Sequence, residues 1–449
     1  MKKIEQLNEQ IKGKKVAILG LGVSNKPLVK YFTSLGCDVS IYNEKELEYD
    51  NPYNAHIYIG KDSMNDLSGY DYIFRSPSIL PTRESIQKAR QEGAIITSEI
   101  EEVIKNAPCT VIGVTGSDGK TTTTTLINEV LKANGYITHL GGNIGTPIFT
   151  DIRNVNEKDV IVLELSSFQL MGMNVSPDIS IITNISENHL DIHKDYEEYI
   201  NSKENIYKHQ TKKGILVVNY DNTITKNLKT IGETRHFSGK EKINDGYYVI
   251  GNTIYNKEGK EILDGKNIKL RGHHNYCNIA TVLTAINDMI DLEKSLEVLK
   301  NFAGVEHRLE FIRNIDGASW YNDSVSSSPT RTIAGLYSYD EPIILIAGGY
   351  DKNISYAPLG LPILEKCKCL ILMGNTKEKI KTSTMEASKK TNKQIPIYEV
   401  DTLEEAVNKA KEVANQGDVV LFSPASASFD MFKNFADRGN KFKALVNKL

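Results

Sequence analysis

The sequence predicts an α/β protein of three domains with mostly parallel sheets. Short apolar runs alternate with helix-period segments along nearly the whole chain, and at ~150 residues per domain the length suggests about three units. The third observation is local. Between Cys109 and Asn134 the chain reads CTVIGVTGSDGKTTTTTLINEVLKAN. Thr110–Thr115 has the content of a buried strand, and Leu126, Ile127, Val130 and Leu131 recur at helical spacing. The turn between them carries Thr115, Gly116, Ser117, Asp118 and Gly119, and Lys120, Thr121 and Thr122 open the helix. This is the layout of a phosphate-binding loop, in which backbone N–H groups and the helix N-terminus hold phosphate oxygens. Lys120 would reach the outer phosphates and a threonine hydroxyl would ligate Mg²⁺. The general Walker pattern has glycine where this chain has Val114, so the match begins at Thr115, and the charge of Asp118 must point away from the phosphates. A glycine-rich surface turn with a solvated lysine is the plainer alternative, and the strand before and helix after weigh against it.

Composition narrows the classes. Of the 449 residues, 40% are apolar and 25% charged, as in ordinary globular proteins. The net charge of −3 includes no basic block of the kind nucleic-acid binders carry, so local sites must hold any anionic ligand. Five cysteines without zinc spacing read as reduced thiols. The N-terminal stretch MKKIEQLNEQIKGKK has no apolar signal core, and no apolar run approaches ~20 residues. A cytoplasmic protein without membrane segments is the expectation.

Taken in order, Lys15–Leu19, the turn with Gly20 and Gly22, a helical pattern over 27–35 and a strand at Asp38–Tyr42 make a Rossmann-type start. Asn25 stands where the dinucleotide fingerprint has its third glycine, and Glu44 only approximates the ribose-binding acid, so a purely structural turn remains open. Strands follow at Tyr72–Phe74 and Ala94–Ile96, then a connecting helix at Glu99–Asn106. Beyond the phosphate loop, Gly141-Gly142-Asn143-Ile144-Gly145 reads as a second glycine loop. Val160–Leu163 is an apolar strand that ends at Glu164, and Ile179–Ile182 leads to Asn184, Glu187, Asn188, His189 and Asp191. Ligands of α/β sheets sit at the carboxyl ends of strands. Two such ends with acids, downstream of a phosphate loop, suggest a metal–nucleotide site, and Mg²⁺ takes oxygen ligands such as Glu164 and a loop threonine. On their own, His189 reads as a turn histidine and Lys203, on a helix over 196–209, as a solvated lysine. A strand at Gly214–Val218, a small antiparallel flap within 235–271 and helices at Asn275–Met289 and Leu292–Phe302 come next. Strands at Ala318–Tyr321, Ile343–Ala347, Leu370–Met373 and Val419–Phe422 make a further α/β domain.

These residues resemble the Mur ligase family of peptidoglycan synthesis, across the whole chain. The resemblance rests on Thr115–Thr122, the loop at 141–145, Glu164–Gln169, Asn184–Asp191, Gly272–Asn275, Glu306-His307-Arg308, Asn322-Asp323-Ser324 and SPASASFDMFKNFADR at 423–438. It implies a Rossmann-like UDP-binding domain at 1–98, a central ATP-binding phosphate-loop domain at 99–304 and a C-terminal Rossmann-like amino-acid-binding domain at 305–449. It implies that Val23, Ser24, Glu44, Lys45 and Asn143 meet the nucleotide-sugar. Residues Thr115–Thr122 with Asn275, Arg308 and Asp323 would hold ATP. Thr121 or Thr122 and Glu164 would hold one Mg²⁺, and His189 and Lys203 a second, the lysine as a carbamate formed with CO₂. Lys120, Glu164, His189 and Lys203 would be catalytic, and Lys352, Ser428 and Phe435 would receive D-glutamate. The implied activity is amide ligation from ATP, UDP-N-acetylmuramoyl-L-alanine and D-glutamate by a monomer that binds neither nucleic acid nor membrane. One departure stands out: the family continues Asp-Ser-Lys-Ala-Thr-Asn after Asn322, whereas here Asp323-Ser324 is followed by Val325. The Asp-Asn-Pro-Arg motif of the diamino-acid-adding relatives is absent.

Overall fold

The computed structural model describes residues 2–46, 49–187, 192–352 and 354–449. The fold is α/β with mostly parallel sheets. The first sheet contains β1 (Lys15–Leu19), β2 (Asp38–Asn43), β3 (His56–Ile59), β4 (Tyr72–Arg75) and β5 (Ile95–Thr97), in the order β3-β2-β1-β4-β5 and parallel throughout. Val16, Ala17, Ile18 and Leu19 are all buried, the continuous apolar run of a strand covered on both faces. At its end Gly20 turns with φ +78°, and the buried Asn25 donates through Nδ2 to the carbonyls of Leu19 and Gly20 at 3.2 and 2.9 Å. The residue that breaks the dinucleotide fingerprint therefore closes the turn.

The second sheet holds β6 (Thr110–Thr115), β7 (Thr138–Gly142), β8 (Val160–Glu164), β9 (Ile179–Ile182), β10 (Ile215–Asn219) and β11 (Glu233–Phe237), ordered β11-β10-β9-β6-β8-β7 and all parallel. Chain order reverses around β6, the switch point at which open α/β sheets form ligand crevices. The flap expected over 235–271 is smaller: only β12 (Tyr248–Ile250), β13 (Thr253–Tyr255) and β14 (Glu261–Asp264) form an antiparallel sheet. The strand β11, ETRHF, joins the parallel sheet instead. Being an edge strand it buries little beyond Phe237, so its polar composition hid it.

The last sheet contains β15 (Glu310–Ile315), β16 (Ala318–Asn322), β17 (Ile343–Ala347), β18 (Cys367–Leu372), β19 (Ile397–Glu399) and β20 (Val419–Phe422), ordered β15-β16-β20-β17-β18-β19. It is parallel except for the β15–β16 hairpin, whose turn residues Asp316 and Gly317 both have positive φ, 52° and 85°. An Asp-Gly pair suits that geometry. Successive side chains alternate between two apolar layers: Leu345, Leu370 and Leu421 pack on one face, and Ile344, Ile346 and Val420 pack with Trp320 and Phe442 on the other.

The chain folds as two compact units: one runs from the N-terminus to Asp264 and includes Cys277–Leu299, and the other comprises Gly265–Tyr276 and Lys300–Leu449. In the first unit the two large sheets share one core. Phe149, carried between β7 and β8, packs against Phe32 and Phe74 with ring centroids 6.2 and 6.3 Å away. The buried Glu99 fixes that insertion, accepting the Ile148 and Phe149 N–H groups at 2.9 and 3.0 Å.

In the second unit the fully buried Arg438 donates to the carbonyls of Ser324, Ser426 and Ala427 at 2.8, 3.0 and 2.8 Å, and to Ser324 Oγ at 3.0 Å. Arg438→Met is expected to lower stability by about 3 kcal/mol or more in urea unfolding, because several buried acceptors lose their donor at ~1–3 kcal/mol each. Lys441→Ala, which removes the exposed pair with Asp437 and a contact of its Nζ with the Phe432 ring, is expected to change it by no more than about 1 kcal/mol.

Candidate active site

The loop after β6 is shaped by its glycines and by the end of β9. Gly116 has φ +148°, and a Cβ there would lie 1.9 Å from Thr183 Oγ1; Gly119, at φ +80°, would place one 2.6 Å from Asn278 Oδ1. Only glycine fits both places. Asn184 Oδ1 accepts the N–H groups of Ser117 and Asp118 at 3.2 and 3.0 Å, and the Asn184 carbonyl accepts Ser117 N–H at 2.9 Å. Thr183 Oγ1 also donates to the Asp118 carbonyl. Gly119 then caps the helix Lys120–Ala133, whose first-turn N–H groups have no carbonyl within the helix to meet. Asp118 is exposed, as an acid beside an anion site must be.

Two cations converge on this loop. Lys120 Nζ donates to the carbonyls of Gly116 and Ser117 at 2.8 and 2.9 Å. Lys203 Nζ donates to the same Gly116 carbonyl at 2.8 Å and lies 4.7 Å from the Tyr199 ring centroid. The helix Tyr196–Lys208 supplies both Tyr199 and Lys203, one turn apart, and the Tyr199 hydroxyl pairs with Ser117 Oγ at 2.9 Å. Lys203 is 2% exposed. Burial, and next the charge of Lys120, drive its pKa well below that of an ordinary lysine, favouring the neutral amine. The reading of Lys203 as a solvated side chain does not hold.

Glu164 ends β8 beside β6, with Val114 and Glu164 in register. Its Oε1 accepts from Asn143 Nδ2 at 2.8 Å, and its main-chain carbonyl accepts from Asn143 N–H at 2.8 Å. Its Oε2 is buried with no hydrogen-bond partner. A carboxylate oxygen in that position is costly without a cation. A hard carboxylate oxygen with a free lone pair fits Mg²⁺. Among the described residues no cluster of three His, Cys, Asp or Glu side chains offers a ready metal cage. Such a set suits Mg²⁺, which is held by one or two carboxylates plus substrate phosphates. His189 lies outside the described residues.

The other candidate residues fall into two groups. In the first unit, Val23 is 79% exposed just past β1, Ser24 is half-buried, and Glu44 and Lys45 are exposed past the neighbouring β2. Glu44 accepts from Arg83 at 2.6 Å, and the Lys45 carbonyl from Asn43 Nδ2 at 2.7 Å. In the second unit, Asn275 donates to the Arg271 carbonyl at 2.6 Å. The buried Asp323 accepts from Ser423 Oγ at 2.6 Å and from Leu309 N–H at 3.3 Å. Burial pushes its pKa up to about 6, against the pull of hydrogen bonds from Ser326 and Ser423 and the charge of Arg308. Tyr350 N–H donates to the Ala427 carbonyl at 2.9 Å, which sets the Lys352 loop beside the buried Ser428. Lys352 is pushed to lower pKa by burial and then by the charges of Arg331 and Arg438. Phe435 is 44% exposed, and its carbonyl accepts from Ser324 Oγ at 2.7 Å. Sequence reasoning gave no part to Thr183, Tyr199 or Arg438. Thr183 and Tyr199 left a weak signal: a small polar residue directly after a buried strand, and a tyrosine one turn before Lys203.

Residues 114–286 match the family profile described as Mur ligase middle domain, and residues 307–426 that described as Mur ligase, glutamate ligase domain. The chain is 48% identical over 448 residues to a UDP-N-acetylmuramoylalanine--D-glutamate ligase of Clostridium botulinum, covering 98% of each chain. It is 50% identical to the protein of that name from Clostridium acetobutylicum, covering 98% of this chain and 97% of that one. Among solved structures it is similar to UDP-N-acetylmuramate-alanine ligase MurC from Thermotoga maritima, with a TM-score of 0.61 at 19% identity over 97% of this chain and 99% of that one. It is likewise similar to MurF from Acinetobacter baumannii, with a TM-score of 0.61 at 15% identity over 99% and 98%. At these identities the structural likeness speaks for the fold alone.

The loop geometry generates a direct test. Gly116→Ala must displace Thr183 or abandon φ +148°, either of which rearranges the phosphate-binding N–H groups. Nucleotide affinity measured by calorimetry is expected to fall at least ~100-fold, equivalent to ~2.7 kcal/mol or more, while the melting temperature moves by only a few degrees.

Proposed function

The chain belongs to the Mur ligase family, and from that premise we propose that it joins D-glutamate to UDP-N-acetylmuramoyl-L-alanine at the expense of ATP, in the cytoplasmic synthesis of peptidoglycan precursors. The observation that carries this reading is identity of 48–50% along almost the entire chain to proteins named for that reaction. In the proposed organisation residues 1–98 bind the UDP-sugar, 99–304 bind ATP and 305–449 receive the amino acid.

The reaction transfers the γ-phosphoryl group of ATP to the L-alanyl carboxylate, giving an acyl phosphate and ADP. The amine of D-glutamate attacks the acyl carbon, phosphate leaves, and the nitrogen loses a proton to become the amide. Donor and acceptor are both anions, so the work of the protein is alignment and charge neutralisation. The N–H groups at the start of helix Lys120–Ala133 bind the phosphates, and Lys120 leaves the Gly116 and Ser117 carbonyls to meet them. Glu164 and Thr121 or Thr122 would hold one Mg²⁺, and His189 and Lys203 another; bound there, the metal supplies positive charge to the phosphate oxygens. The neutral amine favoured at Lys203 supports its conversion by CO₂ to a carbamate, with release of one proton. The resemblance also assigns Asn275, Arg308 and Asp323 to the nucleotide, and Asp323 is a carboxylate already oriented by Ser423.

For the amino acid, Val325 cannot supply the cation of the family pattern. Lys352 has a second cation, Arg331, near enough to lower its pKa, and neither forms an ion pair among the described residues. Two neighbouring cations without an ion-pair partner among the described residues favour an amino acid with a side-chain carboxylate over one with a distal ammonium. ADP release, followed with each acceptor in turn, tests the proposal. Turnover with D-glutamate and the UDP-sugar together is expected to exceed that with L-lysine or diaminopimelate at least ~100-fold. Equal turnover with L-lysine would overturn the substrate assignment, and a requirement for a folate in place of the UDP-sugar would move the chain to another branch of the ligases. Binding of ATP that no acceptor accelerates would mark a non-catalytic nucleotide sensor.

The carbamate gives a second prediction. Lys203→Ala is expected to lose ~10²–10³ in turnover, as when a preorganised electrostatic contact is removed, and to recover part of it with millimolar acetate or formate. Lys203→Arg should stay inactive in the same buffer, since a guanidinium accepts nothing from a metal. An active arginine variant would remove Lys203 from the metal site.

A further inference from the structure

The first unit contains a buried cation that none of the roles above uses. Arg75 ends β4, is 5% exposed, and makes no ion pair among the described residues. Its guanidinium is spent on main-chain carbonyls from two separate segments. Nη1 donates to Ile79 at 3.2 Å, Nη1 and Nη2 both reach Phe168 at 3.3 Å, and Nη2 donates to Met171. Burial lowers its pKa to about 10, which still leaves it charged at neutral pH.

The two segments differ in purpose. Ile79 lies in the turn after β4, on the carboxyl edge of the first sheet, where Arg75 is in register with Leu19 of β1. That turn abuts the Gly20 turn closely, since a Cβ on Gly20 would stand 2.6 Å from Ser76 Oγ. Phe168 and Met171 belong to the short helix Ser167–Leu170 and its C-cap, which begins three residues after Glu164 and is closed by the Ser166–Gln169 capping box. Carbonyls at the C-terminal end of a helix lack internal donors and carry partial negative charge, so a guanidinium there meets both needs. A second contact reinforces the joint: Gly172, at φ +75°, lies so close to Pro81 that a Cβ would stand 3.2 Å from its ring.

We infer that Arg75 is a positioning residue that locks the turn after β4, which abuts the Gly20 turn leading to Val23 and Ser24, to the Glu164–Met171 segment, so that the acceptor carboxylate is presented at a fixed place relative to Glu164. The inference rests on the ligase reading of the site. Turnover by the unsubstituted protein reports on that reading alone, and the ratio of variant to parent reports on Arg75. A planar fork suits several divergent carbonyls and an ammonium suits fewer. Arg75→Lys is therefore expected to fold, to raise the KM for the UDP-sugar about tenfold, and to leave the KM for ATP within about twofold, because the phosphate loop is untouched. Arg75→Ala should lose more, with part of the loss restored by added methylguanidinium. A lysine variant with the parental KM for the UDP-sugar would overturn the proposal. A parallel rise in both KM values would also overturn it, as general loosening, and so would a folded alanine variant that methylguanidinium does not rescue.

Discussion

The contact on which the rest of the candidate site depends is the one between Gly116 and the end of β9. The phosphate loop is not held by its own sequence. Its amides at Ser117 and Asp118 are pinned from outside by Asn184, and its Gly116 corner is pressed against Thr183. Because β9 is the strand next to β6, the loop inherits the rigidity of two adjacent parallel strands. Preorganisation of this kind makes backbone N–H groups effective on phosphate, since no reorganisation cost arises on binding. It also ties the loop to the segment that ends in Asn184, the strand-end position from which ligands of α/β sheets are held.

With the loop fixed, its electrostatics follow. Two lysine nitrogens lie 2.8 Å from one carbonyl, that of Gly116. Two full charges cannot share that oxygen cheaply in a buried place, so one must give way. Lys120 is half-buried, whereas burial and then the charge of Lys120 push the pKa of the buried Lys203 well below that of an ordinary lysine. The lysine most easily made neutral is thus the one whose nitrogen is available as a nucleophile towards CO₂, and its new negative charge would arise next to Lys120. Glu164 completes the pattern with one oxygen held by Asn143 and the other unpartnered. Glu164 thus keeps a buried oxygen that a cation would satisfy.

How much of this was legible in the sequence varies with the kind of signal. Strands buried on both faces, such as Val160–Glu164, Ile179–Ile182 and Ile343–Ala347, announce themselves by uninterrupted apolar runs. The edge strands β3, β11 and β19 did not, because each pairs on one side only and keeps polar or half-exposed residues. The end of β7 has a loop-like pattern because Gly141 and Gly142 belong to the strand, and a Cβ on Gly142 would stand 2.1 Å from the Glu164 carbonyl. The hairpin between β15 and β16 has Asp316-Gly317 as its signal, which the βα alternation of the surrounding chain masks. In the site, the glycines, Lys120 and Glu164 follow from spacing and chemistry. The state of Lys203 does not: no local pattern distinguishes a solvated lysine from one turned into the core by a helix face that also carries Tyr199.

The amino-acid end of the second unit shows how a substitution at one position can leave a pocket standing. The backbone there does not depend on the side chain at 325. Val325 N–H donates to the His307 carbonyl at 3.1 Å, Ser326 N–H to Asp323 at 2.9 Å, and Arg438 holds Ser324 from the other side. A lysine at 325 would bring charge without being needed for shape, so its loss removes one cation and little else. Lys352 and Arg331 lie close enough to repel, and the charge of Arg331 helps to lower the pKa of Lys352. In the proposed reaction a dicarboxylic amino acid held there would relieve that repulsion and a diamino acid would add to it. Discrimination by charge then comes as much from what the pocket rejects as from what it binds. Such selectivity needs no particular residue at 325, only two unneutralised cations and a rigid loop to keep them in place.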